Sequence, residues 1–207
     1  MKPLIRGYIL QAAFFIALGA CALLIVKSHG AHALTANIIY SLTLTGMYGV
    51  SALYHCPIWS RRNYLLMRSI DHAAIFALIA GTATPICLLG LNNEPGRRLL
   101  FLLWGVAAIG MLLAIFWTQG PKWVRAFLYV AIGWLAVPYL PEIQSSLGPA
   151  NTHLLLVGGV IYTVGALIYA IKHPDPFPLV FGYHEIFHIL VVIASAFYFR
   201  VIYGLTT

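Results

Sequence analysis

The sequence has very few charged residues. Only 8% of its 207 residues are Asp, Glu, Lys or Arg, whereas hydrophobic residues make up 61%. A soluble domain carries roughly a quarter charged residues, because charge is needed to cover its surface in water. The composition therefore excludes a soluble domain and predicts an integral membrane protein. No polar stretch is long enough to fold separately, so we expect residues 1–207 to form a single transmembrane domain.

Paired cysteines are also missing. Cys21, Cys56 and Cys87 are far apart and form no Cys-x-x-Cys motif, so we interpret them as small apolar packing residues. The net charge of +7 arises from short basic groups between apolar runs. This arrangement is typical of membrane topology and does not indicate nucleic-acid binding.

What the sequence does contain is a series of long apolar runs. A run of about 20 residues is long enough to cross the hydrocarbon core of a bilayer. We find seven, at 7–27, 34–56, 69–91, 97–118, 123–141, 151–171 and 180–204. Irregular backbone is prohibitive in lipid, so the predicted fold is all-α with seven transmembrane helices. Pro85 and Pro138 lie within these runs and are expected to kink them.

The basic residues predict how the chain is oriented. If the N-terminus is cytoplasmic, eight of the 12 Lys and Arg residues fall on the cytoplasmic side and four on the other. The bias predicts a multi-pass cell-membrane protein with a cytoplasmic N-terminus and an external C-terminus. The eight residues are Lys2, Arg6, Arg61, Arg62, Arg68, Lys122, Arg125 and Lys172; the four are Lys27, Arg97, Arg98 and Arg200.

Several polar side chains meet at one depth of this predicted bundle. His184 and His188 are four residues apart at the start of the seventh run, so a helix places both on one face. His55 lies in the last turn of the second run, and Asp71 and His72 lie in the first turn of the third. These helix ends share one side of the membrane, which we predict to be the cytoplasmic side.

Three histidines at one depth predict a metal site. A lone histidine in a span is more often a packing residue, so the prediction depends on His55, His184 and His188 together. Zinc is the predicted metal, since three histidines and one water form an open catalytic site. We expect Asp71 to hold that water and accept its proton. Ser51 lies four residues before His55, where its hydroxyl can bond the imidazole or a nearby water.

The roles of two neighbouring residues stay open at this stage. Glu185 completes a His-Glu-x-x-His motif, in which the glutamate of soluble zinc proteases is the general base. On a helix, however, Glu185 points about 100° away from the two histidines. The alternative interpretation is that Glu185 is a carboxylate at the cytoplasmic interface, near Arg61 or Lys172. His72 faces a different side of its helix from Asp71 and is either a site residue or a packing residue.

Three motifs in this order resemble the hemolysin III family, which belongs with the progestin and adiponectin receptor proteins. The motifs are the segments 51–55 (SALYH), 71–85 (DHAAIFALIAGTATP) and 184–188 (HEIFH). The resemblance implies a seven-helix fold with one zinc ion near the cytoplasmic face. It matches the family's ligands to His55, His184 and His188, its water-holding aspartate to Asp71, and its supporting serine to Ser51. Adiponectin receptors carry Gln at the position of Glu185, which argues against a general base there.

These features predict a zinc-dependent hydrolase acting on an amide or ester of a membrane lipid or fatty-acyl substrate. The resemblance points to ceramide-like amides, although the residues alone select no substrate. One alternative is a receptor-like regulator of membrane lipid state, in which zinc is structural and fully surrounded by protein ligands. The other is a pore-forming haemolysin, as the family name suggests. Against a pore, no charged helical face is available to line a wide channel.

Overall fold

The computed structural model of the protein describes residues 7–117, 120–177 and 180–206. These ranges contain seven α-helices and no strand, apart from one isolated bridge between Phe177 and Phe181. Lys2 and Arg6, which contribute to the predicted orientation, lie outside the described residues. The helices are α1 (Tyr8–Val26), α2 (Ala31–His55), α3 (Arg61–Pro85), α4 (Glu94–Phe116), α5 (Lys122–Trp134), α6 (Leu140–Ile171) and α7 (Tyr183–Leu205).

The all-helical class and the multi-pass membrane character are confirmed, whereas seven membrane crossings are not. Within the described ranges, five segments are long and apolar enough to cross a bilayer. Helix α2 is excluded by its less apolar composition, and α5, with 13 residues, is joined to α6 in one segment. The five segments are Tyr8–Val26, Arg61–Leu91, Glu94–Phe116, Lys122–Ile171 and Tyr183–Leu205.

Helix α2 is less apolar because it carries polar side chains on its buried face. It packs between α1 and α3, and its buried side chains include Asn37, Ser41 and Ser51. A face packed against protein can satisfy polar groups that lipid could not. Helix α4 has an exposed apolar face, with Phe101 78% exposed and Phe116 82% exposed. An outward-facing apolar surface of this kind is suited to lipid.

The prolines and one glycine interrupt the helices. Pro85 is followed by a π-helical segment, Ile86–Leu91, and Pro138 lies in a 3₁₀ turn between α5 and α6. A proline ring removes one backbone donor and clashes with the preceding turn, so both breaks agree with the predicted kinks. A third break lies inside α6, in the interval between the predicted fifth and sixth runs, although most of that interval is helical. Gly148 there has a φ of 79°, a conformation that favours glycine.

One predicted helix start is wrong. The third apolar run begins at residue 69, but α3 begins at Arg61, so Asp71 and His72 lie in its third turn rather than its first. Ser60 explains the difference, because its hydroxyl accepts a hydrogen bond from the Asn63 amide at 3.4 Å and caps the helix. Hydropathy finds where a helix enters lipid, whereas its first turns can extend into water.

Candidate metal centre

Three histidines from two helices converge at one end of the bundle. His55 is the last residue of α2, and His184 and His188 lie in the first two turns of α7. Each offers one ring nitrogen, and the three nitrogens lie within 4.8 Å of one another. The prediction that these histidines meet is therefore confirmed. In the described part of the chain they form a group whose spacing suits a metal ion.

The spacing of two of these nitrogens can be tested against zinc. His184 Nε2 lies 3.3 Å from His55 Nε2. Two nitrogens each about 2.0–2.1 Å from a tetrahedral zinc ion are about 3.3–3.4 Å apart, so the pair needs little movement to share one ion. The same distance allows one imidazole to donate a hydrogen bond to the other. The donor set and its spacing therefore fit zinc, and three histidines are the ligand set of open zinc sites.

Aromatic rings from several helices hold the three imidazoles in place. The ring centroids of Tyr54 and His55 are 4.5 Å apart, and those of Tyr169 and His184 are 5.5 Å apart. Phe187 packs against His188 at 5.3 Å. The Tyr54 side chain also lines the same cavity as His55. The rings limit the rotation of the imidazoles and thus orient their nitrogens.

Asp71 lies beside the histidine group, together with Ser51 and His72. Its carboxylate lines the same cavity as His55, His184 and His188. Nδ1 of His72 lies 3.5 Å from Asp71 Oδ2. Ser51, Asp71 and His72 are all buried and all line one cavity. The expectation that His72 faces away from Asp71 is therefore wrong, because the ring folds back towards the carboxylate that precedes it.

Glu185 has a different position from the three histidines. Its side chain is fully buried, at 0% exposure, and its Oε2 accepts a hydrogen bond of 2.8 Å from the Gly182 amide. Asp175 performs a similar task nearby, accepting from the Tyr183 amide at 3.1 Å. The two carboxylates thus cap the first turn of α7, whose amides have no partner within the helix. The capping role of Glu185 was not predicted, and its depth in the membrane stays a prediction.

The histidine group opens onto a large cavity inside the bundle. The cavity has a volume of about 510 Å³ and is lined mainly by apolar side chains. Tyr129 from α5 and Tyr162 from α6 contribute to its wall. Trp134 lines it as well and is 40% exposed, donating a hydrogen bond of 2.9 Å to Thr163 across the gap between the same two helices. A cavity of this size and character suits an acyl chain.

Two basic residues line the cavity, and a third lies beside them. Arg68 of α3 and Lys122 of α5 face the cavity, while Arg125 is buried and donates to the backbone oxygen of Gly120. The sequence analysis used these residues only to predict topology. Their helical runs and charges are visible in the sequence, but no spacing motif links them to the histidines.

Comparisons with known proteins agree with this architecture. Residues 2–199 match the family model described as "Haemolysin-III related". The chain is 34% identical over 158 residues to the "Hemolysin-3 homolog" of Bacillus subtilis, covering 76% of this chain and 71% of that protein. It is 32% identical over 187 residues to "Hemolysin-3" of Bacillus cereus, covering 89% of this chain and 82% of the relative.

A more distant likeness extends to eukaryotic membrane receptors. The chain is 27% identical over 173 residues to an "ADIPOR-like receptor" of Eremothecium gossypii, covering 74% of this chain and 54% of that protein. The resemblance that the three motifs suggested is confirmed. The chain belongs to the haemolysin-III-related family of multi-pass membrane proteins, which is related to the adiponectin receptor-like proteins.

Proposed function

We propose that the protein is a zinc-dependent hydrolase that cleaves an amide or ester bond in a membrane lipid. One observation supports this proposal above the others. Three imidazole nitrogens lie within 4.8 Å of one another, at the end of an apolar cavity of about 510 Å³ that also contains Asp71. A metal-binding group, an acid and a space for an acyl chain are the parts that such a reaction needs.

His55, His184 and His188 would hold the ion. When bound, zinc supplies Lewis-acid polarisation of a carbonyl and a lowered pKa for water, so that hydrolysis can proceed near neutral pH. The Asp71 carboxylate forms no ion pair with Lys or Arg among the described residues. It is therefore available to accept a proton from the attacking water at an Oδ atom and to return that proton to the leaving group.

The remaining residues position the acid and the substrate. Ser51, one helical turn before His55, lines the same cavity as Asp71, and a hydrogen bond from its hydroxyl would fix the orientation of the carboxylate. The apolar walls exclude bulk water from the acyl chain and keep the scissile carbonyl at the histidine end. A ceramide-like amide fits these requirements, as the family resemblance implies.

The topology is part of the proposal. We infer seven crossings, with α2 crossing between α1 and α3 and α5 crossing together with the 3₁₀ turn that follows it. The distribution of Lys and Arg favours a cytoplasmic N-terminus, an external C-terminus and a metal centre near the cytoplasmic face.

A receptor-like regulator is the second candidate, and the position of the histidines favours it. His55 and His184 are separated by 129 positions, so an ion bound to both would connect α2 to α7. Zinc would then stabilise the bundle without chemistry. The distinction lies in the ligand shell, since a structural ion would be fully surrounded by protein side chains, including Asp71.

Lipid hydrolysis by the purified protein distinguishes these candidates. We would measure acyl-chain release from ceramides and from lipid esters by the wild type, His188→Ala and Asp71→Asn. His153→Ala is a matched control, because His153 is exposed on α6 and lies outside the cavity lining. The hydrolase proposal expects activity in the wild type and the control, and its loss in both site variants. Equal rates in all four proteins would overturn it, and dye leakage from liposomes that persists after zinc removal would support a pore instead.

A further inference from the structure

The basic residues of the cavity are not used by the proposed chemistry. Arg68 and Lys122 line the cavity, whereas Asp71 is the only acidic residue among the described residues that line it. We infer that the cavity binds a lipid with a phosphate-bearing headgroup, which Arg68 and Lys122 contact. This inference depends on the proposed function only in treating the cavity as the lipid site, and it adds the class of headgroup.

Arg68 is the first of the two residues that we infer to contact the headgroup. It lies three residues before Asp71 on α3 and is partly buried. Within the described ranges it forms no ion pair with a carboxylate; Glu94, which pairs with Arg97 and Arg98, belongs to a different helix end. A guanidinium removed from water without an anion is costly, and its planar fork matches the oxygens of phosphate. The missing anion is therefore expected to come from a ligand.

Lys122 is held towards the same region. Its Nζ donates a hydrogen bond of 3.0 Å to the Tyr183 hydroxyl. It also lies 5.1 Å from the Tyr169 ring centroid and 5.3 Å from that of Tyr183. An ammonium group has three donors, and only one is used by the Tyr183 hydroxyl. The lysine is thus positioned by neutral partners, and its charge is not neutralised by them.

A third basic residue, Arg125, strengthens the positive electrostatic potential at this end of the cavity. Arg125 is 6% exposed and interacts electrostatically with Arg68. Two like charges held close together raise the affinity for an anion between or beside them. The excess of positive charge is therefore a property of this end of the cavity.

The number of charges favours phosphate over carboxylate. Arg68, Lys122 and the neighbouring Arg125 carry three positive charges against the one negative charge of Asp71, an excess of two. A phosphate monoester carries about −1.5 to −2 at neutral pH, which matches this excess, whereas a fatty-acid carboxylate carries −1. The apolar remainder of the cavity favours a lipid as the source of this phosphate over the free ion. The expected ligand is thus a phosphate-bearing headgroup with at least one acyl chain.

Binding of labelled lipids to the purified full chain in a neutral detergent tests this inference. The probes are NBD-labelled phosphatidic acid, diacylglycerol and fatty acid with the same acyl chain. The variants are Arg68→Gln and Lys122→Gln, and Arg62→Gln is the matched control because Arg62 is exposed on the same helix and lies outside the cavity lining. Binding of labelled diacylglycerol reports whether each variant keeps its cavity.

The wild type and Arg62→Gln should bind phosphatidic acid at least about tenfold more tightly than the other two lipids. Arg68→Gln and Lys122→Gln should each weaken phosphatidic-acid binding about tenfold, the effect of losing one charged hydrogen bond, and leave diacylglycerol binding unchanged. Millimolar inorganic phosphate should not displace the labelled lipid.

Equal affinity for the three lipids, or an equal loss in Arg62→Gln, would overturn the inference. If inorganic phosphate displaces the labelled lipid, the cavity recognises the phosphate ion alone, and the inference that the ligand is a lipid is overturned. Because no turnover is measured, these outcomes are independent of whether the protein hydrolyses a lipid. An inactive chain that retains the Arg68-dependent preference would contradict only the proposed hydrolase.

Discussion

His55 and His184 are 129 positions apart in the chain, yet their Nε2 atoms are separated by 3.3 Å. The contact joins the C-terminal end of α2 to the N-terminal end of α7. His188, one turn further along α7, adds a third nitrogen to the same group. The metal centre therefore depends on the packing of the whole bundle, and its chemistry can be tested separately from its stability.

Replacing Asp71 by Asn should abolish hydrolysis without removing the metal. The carboxylate is not needed as a zinc ligand in the proposed site, but an amide cannot accept the proton of the attacking water. We expect the rate of acyl release to fall by about 10²–10⁴-fold, the usual contribution of a general base. Zinc content should equal that of the wild type. Loss of zinc in Asp71→Asn would instead show that Asp71 binds the ion, as the regulator candidate requires.

Replacing Glu185 separates its capping role from the role suggested by the His-Glu-x-x-His motif. Glu185→Gln keeps a side-chain oxygen for the Gly182 amide, so hydrolysis and zinc content should stay close to wild type. Glu185→Ala removes the cap and should reduce the free energy of unfolding by about 0.5–2 kcal/mol. Thermal unfolding in detergent and a lipid assay measure the two effects. A complete loss of activity in Glu185→Gln, with zinc retained, would restore Glu185 as the base.

Gly81 should be intolerant of a side chain because α2 approaches α3 closely there. A Cβ added at Gly81 would lie 2.0 Å from Oγ1 of Thr43, whereas one added at Gly105 of α4 meets nothing within 4 Å. Gly81→Ala should therefore destabilise the bundle by about 1–3 kcal/mol, the usual cost of overpacking. Gly105→Ala is the control and should be neutral or stabilising. Equal unfolding temperatures for the two variants would contradict the close approach of α2 and α3.

The native cysteines provide a test of the proposed orientation. Cys56 is exposed just after the C-terminal end of α2, whereas Cys21 and Cys87 are buried. A cytoplasmic metal centre places Cys56 inside the cell. A membrane-impermeant maleimide should therefore label the protein in inverted vesicles but not in intact cells, and Cys56→Ser should remove the labelling. Labelling of Cys56 in intact cells would reverse the orientation.

The sequence predicted the histidine group because two simple rules apply to it. Helical periodicity places His184 and His188 on one face, and alternating span direction brings His55 to the same side of the membrane. Both rules need only the position of each residue along its helix. They also placed Asp71 near the group, although the first turn assigned to it was wrong, since residues 61–68 are helical as well.

Other parts of the site depend on how helices pack sideways, which hydropathy does not encode. Lys122 and Tyr169 join the centre because α6 packs against α7 and α5 packs against α6, and no spacing in the sequence links them to His184. The role of Glu185 depends on the loop that precedes α7, where Gly182 presents its amide to the carboxylate. The break at Gly148 depends on a positive φ that glycine permits but does not require.

The central claim is that His55, His184 and His188 bind one zinc ion. Metal analysis of the purified protein, combined with zinc X-ray absorption spectroscopy, tests it most directly. We expect one zinc per chain, with three imidazole nitrogens at about 2.0–2.1 Å, and loss of that zinc in His184→Ala but not in the exposed control His153→Ala. A wild-type protein that binds no zinc, or one that keeps its zinc unchanged in His184→Ala, would contradict the claim.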